Sequence, residues 1–160
     1  MENEKKLIKK PLTLAMKYLS YRPRSVYEIE EYLKKKGVDG VISGQVVAVL
    51  LKQNYLNDGD FTALYIETMM RNKPKSKFAI GFELKKKGIE PWIIEPALEQ
   101  YDDLSLAMKA VNPKIKIWKH LDKEKFKKKL MNFLKYRGFN YDVCMTTLNY
   151  FNNVQKDVKN

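Results

Sequence analysis

Three short phrases recur at nearly equal spacing along this sequence. They read LKKKGV at residues 33–38, LKKKGI at 84–89 and LKYRGF at 134–139, which are offsets of 51 and then 50 residues. A phrase that returns at a fixed period is typical of a chain built from copies of one small unit, in which neighbouring copies share their cores. This repeat predicts three similar units in a row instead of one large core without repeats.

The repeated glycine marks the end of a helix in each copy. Two apolar residues, four positions apart, precede every glycine: Ile29 and Leu33, Ile80 and Leu84, Leu130 and Leu134. That spacing places both side chains on one helix face. The lysines just before Gly37 and Gly88 suit a last helical turn, and glycine readily adopts the left-handed conformation that ends a helix.

Each repeat holds three helices. In the first copy the middle helix begins at Ser25, and Ser25-Val-Tyr-Glu28 is the pattern of a capping box; Ser76 holds the same place in the second copy. A second periodic segment follows each glycine and another precedes each middle helix. The sequence therefore predicts an all-α fold of nine helices in three tandem three-helix modules, forming an elongated, curved helical-repeat body.

Helix signals set the predicted limits of the modules. Asn57-Asp58 and Asp102-Asp103 indicate helix starts, whereas Asn112-Pro113 indicates a stop. Residues 113–121 (PKIKIWKHL) alternate like a strand without a partner, so we interpret them as an ordered basic linker anchored by Trp118. The predicted segments are a basic N-terminal tail (1–11), three modules (12–56, 57–101 and 102–151, the last including the linker) and a C-terminal tail (152–160).

Positive charge is the strongest compositional signal. The net charge is +12, and residues 113–138 alone carry ten Lys or Arg against two acidic residues, whereas residues 89–108 hold five acidic residues and no basic one. A basic surface of this kind indicates a polyanionic partner. The predicted binding residues lie before the middle helices and in the basic stretch: Arg22, Arg24, Arg71, Lys73, Lys75, Lys77, Lys123, Lys127, Lys128, Lys129, Lys135 and Arg137.

The lysine triplets have two interpretations. Lysines 34–36 and 85–87 end helices and are interpreted as solvated helix ends, whereas lysines 127–129 lie inside a helix and are interpreted as anion-binding. Because loops on one edge of a repeat array often face the same way, the basic groups are expected to form one interrupted stripe. Tyr21 and Tyr136 are either stacking residues or core residues.

Several classes of function are not expected. The single cysteine, Cys144, is predicted to be a small core residue, and the single histidine, His120, a loop residue, so neither a disulfide nor a metal site is expected. The sequence lacks a phosphate-binding glycine loop, and no carboxylate pattern indicates a catalytic pocket, so neither a cofactor nor an enzymatic activity is predicted. The absence of long apolar runs and of a leftover heptad seam predicts a soluble, cytoplasmic monomer.

Four stretches, in order, resemble the motifs of the bacterial regulatory protein RecX family. They are YLSYRPRSVYEIEEYLKKKG (18–37), NYLND (54–58), RNKPKSKFAIGFELKKKGI (71–89) and KLMNFLKYRGFNYDV (129–143), within a match of residues 12–151. The resemblance implies three three-helix modules and a non-enzymatic modulator of the recombinase RecA. Such a protein would bind the RecA filament on single-stranded DNA, along its groove, and reduce ATP hydrolysis, strand exchange and repressor cleavage, thereby limiting recombination and the SOS response. Ser76 departs from the family, which commonly has glycine there.

Two other functions remain open from the residues alone. One is a sequence-nonspecific nucleic-acid-binding helical protein that acts without RecA, since three-helix units resemble helix-turn-helix geometry. The other is a scaffold that holds a basic partner through the acidic residues of 89–108. Dependence on the recombinase, and charge reversal in 89–108, would distinguish these from filament regulation.

Overall fold

The computed structural model describes residues 1–158, and these form nine α-helices without a strand. The predicted all-α fold is confirmed for this part of the chain. The helices are α1 (Glu2–Tyr21), α2 (Val26–Lys35), α3 (Gly40–Lys52), α4 (Asp58–Asn72), α5 (Lys77–Lys86), α6 (Pro91–Leu98), α7 (Asp103–Trp118), α8 (Lys123–Tyr136) and α9 (Tyr141–Val158).

The chain folds into two compact units. The first comprises Met1–Leu64 with Leu84–Ile94, and the second comprises Tyr65–Glu83 with Glu95–Asn160. Their boundary falls inside the second predicted module, whose three helices α4, α5 and α6 each contribute residues to both units. The outer limits of the modules stay a prediction.

The paired apolar residues before each glycine are core residues. Ile29 and Leu33, Ile80 and Leu84, and Leu130 and Leu134 are all fully buried. Burying each such side chain stabilises the fold by roughly 1.5–3 kcal/mol relative to leaving it in water. Cys144 is also buried, as predicted, and this burial raises the pKa of its thiol.

The three middle helices end in the same way. Gly37, Gly88 and Gly138 have φ angles of 77°, 74° and 87°, which is the left-handed region predicted from the sequence. In the first copy Val38 N donates to Leu33 O at 3.0 Å and Gly37 N donates to Lys34 O at 3.0 Å. These are the two bonds of a Schellman motif, and both recur after Gly88 and Gly138.

The predicted linker at residues 113–121 is wrong. Helix α7 continues through Pro113 to Trp118, so Asn112-Pro113 does not end it. Proline lacks only one helical donor, and buried residues on both sides, Val111 and Trp118, hold the helix against its neighbours. Trp118 is an anchor as predicted, and its ring packs edge-on against Phe133 with centroids 5.4 Å apart. His120 lies in the turn that follows, as predicted.

Both predicted tails are helical where the structure describes them. Helix α1 begins at Glu2, and Ile8 packs against the buried core of the first unit, so residues 2–11 belong to a helix. Helix α9 extends to Val158 and includes most of the predicted C-terminal tail. Residues 159 and 160 of that tail lie outside the described residues.

Alanine substitutions at two of the helix-ending glycines should have very different effects on stability. A Cβ atom at Gly37 would meet nothing within 4 Å, whereas one at Gly88 would lie 2.2 Å from Tyr27 Cβ. We expect Gly37→Ala to lower the free energy of unfolding by about 1–2 kcal/mol, the cost of a left-handed alanine. We expect Gly88→Ala to lower it by roughly 3 kcal/mol or more, because overpacking adds to the same strain.

Urea unfolding followed by circular dichroism measures this difference. The two variants carry the same chemical change at equivalent helix ends, so each controls for the other. Equal losses would show that the contact at Gly88 contributes nothing to stability.

Candidate functional site

Residues of the next module form hydrogen bonds with the start of α2. Ser25 caps α2 through a full capping box with Glu28, as predicted. In addition, Ser25 Oγ donates to Lys87 O at 2.6 Å, and Val26 N donates to Asp58 Oδ1 at 2.9 Å. We call this contact junction 1. In it the start of α2 contacts the start of α4 and the turn between α5 and α6.

The start of α5 repeats this arrangement. Lys77 N donates to Asp103 Oδ1 at 2.9 Å, and Ser76 N donates to Arg137 O at 3.0 Å. Ser76 Oγ accepts from Ala79 N at 3.1 Å, so the serine that departs from the family pattern caps its helix. Junction 2 is therefore the start of α5 with the start of α7 and the turn between α8 and α9.

Charged side chains are paired across junction 1. Two nitrogens of Arg22 donate to the two carboxylate oxygens of Glu28, at 2.6 and 3.3 Å, and Lys87 Nζ lies 3.5 Å from the same carboxylate. Partial burial raises the pKa of Glu28, but the hydrogen bonds from Arg22 and Ser25 and the nearby charges outweigh it, so the pKa lies below its usual value. Burial raises the pKa of Asp58 despite its bond from Val26.

Junction 2 also uses predicted binding residues as structural contacts. Lys75 pairs with Glu83, whose carboxylate also accepts from the Tyr65 hydroxyl. Arg137 Nη1 donates to Pro74 O at 2.9 Å, and its guanidinium lies 4.7 Å from the Phe133 ring centroid. Burial lowers the pKa of Arg137. These contacts bring Arg137 to the loop that carries Lys73 and Lys75.

Two further predicted binding residues have partners within the chain. The Arg24 guanidinium lies 3.7 Å from the centre of the Tyr18 ring, which stacks on Tyr32 with centroids 4.0 Å apart. Arg71 is an exposed residue that pairs with Glu67 one helical turn earlier. An exposed pair of this kind is weak, so Arg71 can still reorient toward a ligand.

The remaining predicted residues are seven lysines, and all but Lys77 are exposed. Six of them are exposed and form no ion pair with residues 1–157: Lys73, Lys123, Lys127, Lys128, Lys129 and Lys135. Lys77 is half-buried and contributes to a lowered pKa of Asp102, although hydrogen bonds from Ser105 contribute more. Five of the six exposed lysines lie on α8, which makes this helix the main uncompensated cationic surface of the second unit.

The two tyrosines proposed for stacking are not core residues. Tyr21 is 72% exposed and Tyr136 is 84% exposed, and Tyr136 lies between Lys135 and Arg137. An exposed ring beside cations suits the stacking of a nucleic-acid base. Their role in stacking, and the single stripe of basic groups, stay predictions.

Sequence reasoning missed the function of two aspartates. Asp58 and Asp103 were expected only to start their own helices, but their carboxylates cap the preceding module's middle helix. The sequence does place them equivalently, because each is the first residue of the first helix in its module. That equivalence could have indicated a shared role. Asp102 and Asp103 thus have structural roles, which weakens the scaffold interpretation of residues 89–108.

The part of the chain that the structure describes has neither a metal-binding cluster nor a membrane-spanning helix. Within residues 1–158 no group of three or more His, Cys, Asp or Glu side chains is placed to hold a metal ion. Over the same part of the chain, no helix combines the length and hydrophobicity needed to cross a membrane.

Three-helix modules joined through shared helix caps, with exposed lysines on the last module, define a basic helical-repeat protein. Family models described as the first, second and third three-helix domains of RecX match residues 12–50, 57–98 and 100–148. The chain therefore belongs to the RecX family of regulatory proteins.

Curated relatives agree with this assignment. Proteins named regulatory protein RecX from Bacillus licheniformis and Bacillus subtilis are each 33% identical to this chain over 144 residues. Each match covers 88% of this chain but only 55% and 54% of the two relatives. The chain thus spans about half the length of the curated relatives it matches.

Solved structures show the same fold. The crystal structure of RecX from Lactobacillus salivarius superposes with a TM-score of 0.75 at 25% identity, covering 95% of this chain and 99% of that one. A second crystal structure, of a regulatory protein RecX, gives a TM-score of 0.73 at 23% identity and covers 92% and 74% of the two chains. The second structure shares its fold with this chain.

Replacing Glu28 with glutamine should remove a pH-dependent part of the stability. Because the pKa of Glu28 is lowered in the folded state, its ionised form stabilises the fold above the unfolded-state pKa, and this contribution is lost as pH falls through the folded-state value. We expect Glu28→Gln to be less stable than the unmodified chain at neutral pH, with the difference shrinking in acid. Urea midpoints measured from neutral pH down to about pH 3 test this.

Glu30→Gln is the matched control, because it removes the same charge from an exposed position on α2. Its stability difference should be small at every pH. A Glu28→Gln difference that does not change with pH would contradict the proposed ion-pair contribution.

Proposed function

We propose that this protein binds the RecA filament on single-stranded DNA, along its groove, and inhibits RecA. The affected activities would be ATP hydrolysis, strand exchange and repressor cleavage, so that recombination and the SOS response are limited. The observation that carries the proposal is the match of all three RecX domain models in order along the chain. The partner would be a cytoplasmic filament, and the protein would act as a monomer without chemistry of its own.

The electrostatics of the second unit support a polyanionic partner. Apart from Lys125, which pairs with Asp122, the exposed lysines of α8 form no ion pair with acidic side chains of residues 1–157, so their field extends into solvent. A filament that displays DNA phosphates in a groove would interact favourably with such a surface. Arg22, Lys75 and Arg137 contribute less to this contact, since each already has a carboxylate or carbonyl partner within the chain.

The first test is a titration of RecA ATP hydrolysis on single-stranded DNA. The protein is added from far below to equal to the RecA concentration, and its binding to the same DNA without RecA is measured in parallel. Inhibition well below one copy per RecA supports filament regulation. Inhibition that begins only when the DNA is saturated would instead support the alternative, a RecA-independent coat on nucleic acid, which the exposed lysines and Tyr136 also favour.

Two lysine triplets provide matched variants for the same assay. Replacing lysines 127–129 with glutamine should raise the half-inhibitory concentration clearly, whereas replacing lysines 34–36, which are exposed at the end of α2, should change it little. Both variants lose three charges, so net charge alone predicts the same effect for each. Equal effects would show that lysines 127–129 are not a specific contact.

Salt dependence distinguishes phosphate contacts from protein contacts by the same residues. If lysines 127–129 contact phosphates of single-stranded DNA, their replacement should reduce the slope of log affinity against log salt by about 2. Affinity for the DNA-bound filament is measured by fluorescence anisotropy over a salt series. An unchanged slope with weaker binding would place these lysines against RecA instead of DNA.

A further inference from the structure

A cavity in the second unit lies where α7, α8 and α9 meet near the turn between α7 and α8. Its volume is about 570 Å³. Apolar side chains from all of these elements line it: Ile115, Leu121, Phe126 and Val154. A cavity of this size with an apolar lining is large enough to receive side chains of a ligand.

The polar lining of the cavity is mainly cationic. Lys119, Lys123 and Lys156 are exposed residues that line it, and His120 lies beside them. Among the described lining residues the one acidic group is Asp122. Its carboxylate accepts from Lys125 N at 2.9 Å and lies 3.7 Å from Lys125 Nζ, so it is already engaged in capping α8. The cavity therefore favours an anionic ligand.

A hydrogen-bond donor in the same place lacks an acceptor. Gln155 lines the cavity, and its Nε2 is buried without a hydrogen-bond partner among the described residues. An unsatisfied buried amide is unfavourable, and a carbonyl or carboxylate oxygen of a ligand would satisfy it. This observation is independent of the lysines and indicates an oxygen-bearing ligand.

We propose that this cavity binds an acidic peptide segment of a partner protein. One apolar side chain of the peptide would lie on the apolar lining, its carboxylates would meet Lys119, Lys123 and Lys156, and a backbone carbonyl would accept from Gln155 Nε2. A nucleic-acid strand fits less well, because the aromatic residue of the lining, Phe126, is only 2% exposed and offers no face for base stacking. The proposal does not depend on regulation of RecA.

A labelled peptide tests the proposal with the full chain. The probe is a fluorescein-labelled decapeptide of Asp and Glu with Leu-Phe at its centre, and binding is followed by anisotropy. Two control peptides replace Leu-Phe with Gly-Ser, or all acidic residues with Asn and Gln. We expect the probe to bind at least about tenfold more tightly than either control, because one control lacks the apolar contacts and the other lacks the charged contacts.

Charge-matched variants locate the binding to the cavity. Replacing Lys119, Lys123 and Lys156 with glutamine should weaken probe binding at least about tenfold, and Gln155→Leu should weaken it through the lost donor alone. Lysines 127–129 do not line the cavity. Replacing them with glutamine removes the same charge, and we expect it to change the affinity for the probe by no more than about twofold, because distant charges are screened by salt. Circular dichroism confirms that each variant is folded.

Three results would overturn the proposal. Equal weakening by the two triple variants would mean that the peptide is attracted only by net charge. Equal affinity of the probe and its Gly-Ser control would remove the role of the apolar lining. Binding of octanoate at this cavity without binding of the probe would assign it to a small amphipathic anion instead of a peptide.

Discussion

The fold depends on hydrogen bonds between successive modules, made at the start of the middle helices α2 and α5. The first backbone N–H groups of a helix lack partners within the helix, and a buried helix start must find them elsewhere. The backbone N–H of Val26 donates to Asp58, and that of Lys77 donates to Asp103, an aspartate of the next module in each case. The preceding serine of each helix donates to a backbone carbonyl of the next helix-ending turn: Ser25 to Lys87 O and Ser76 to Arg137 O. Each module therefore completes the helix of the one before it, and this requirement fixes where successive modules contact one another.

The same junctions account for the unequal roles of the basic residues. Arg22, Lys75 and Arg137 are held by carboxylates or carbonyls near the junctions, whereas the α8 lysines other than Lys125 form no ion pair with residues 1–157. A charged group that must leave its partner before binding a ligand gives up part of the energy it would gain. Positive charge in the sequence thus serves two purposes, and only the exposed part of it is available to a polyanion.

Local patterns in the sequence predicted local structure well. The capping box at Ser25 and the helix end at Gly37 depend on residues within about one turn of the helix, so their spacing is enough to specify them. Junction 1 joins residues that are 32 and 62 positions apart, and no short sequence pattern encodes such a contact. Pro113 failed as a stop signal for a related reason, because packing on both sides of it outweighs the loss of one hydrogen bond.

The register of the repeats explains why lysines 127–129 are exposed. Counting twelve residues back from each glycine gives Ser25, Ser76 and Phe126, all of them buried. The three residues that follow Ser25 and Ser76 include the N–H groups and side chains that meet the next module, whereas after Phe126 they are the three lysines. Measured from its glycine, helix α8 also begins four residues earlier than α2 and α5, so its N-terminal turn precedes this position and the equivalent N–H lies inside the helix. The third module therefore presents cations on the face that the first two modules use for packing, and this face is suited to an anionic partner instead of a further module of the same kind.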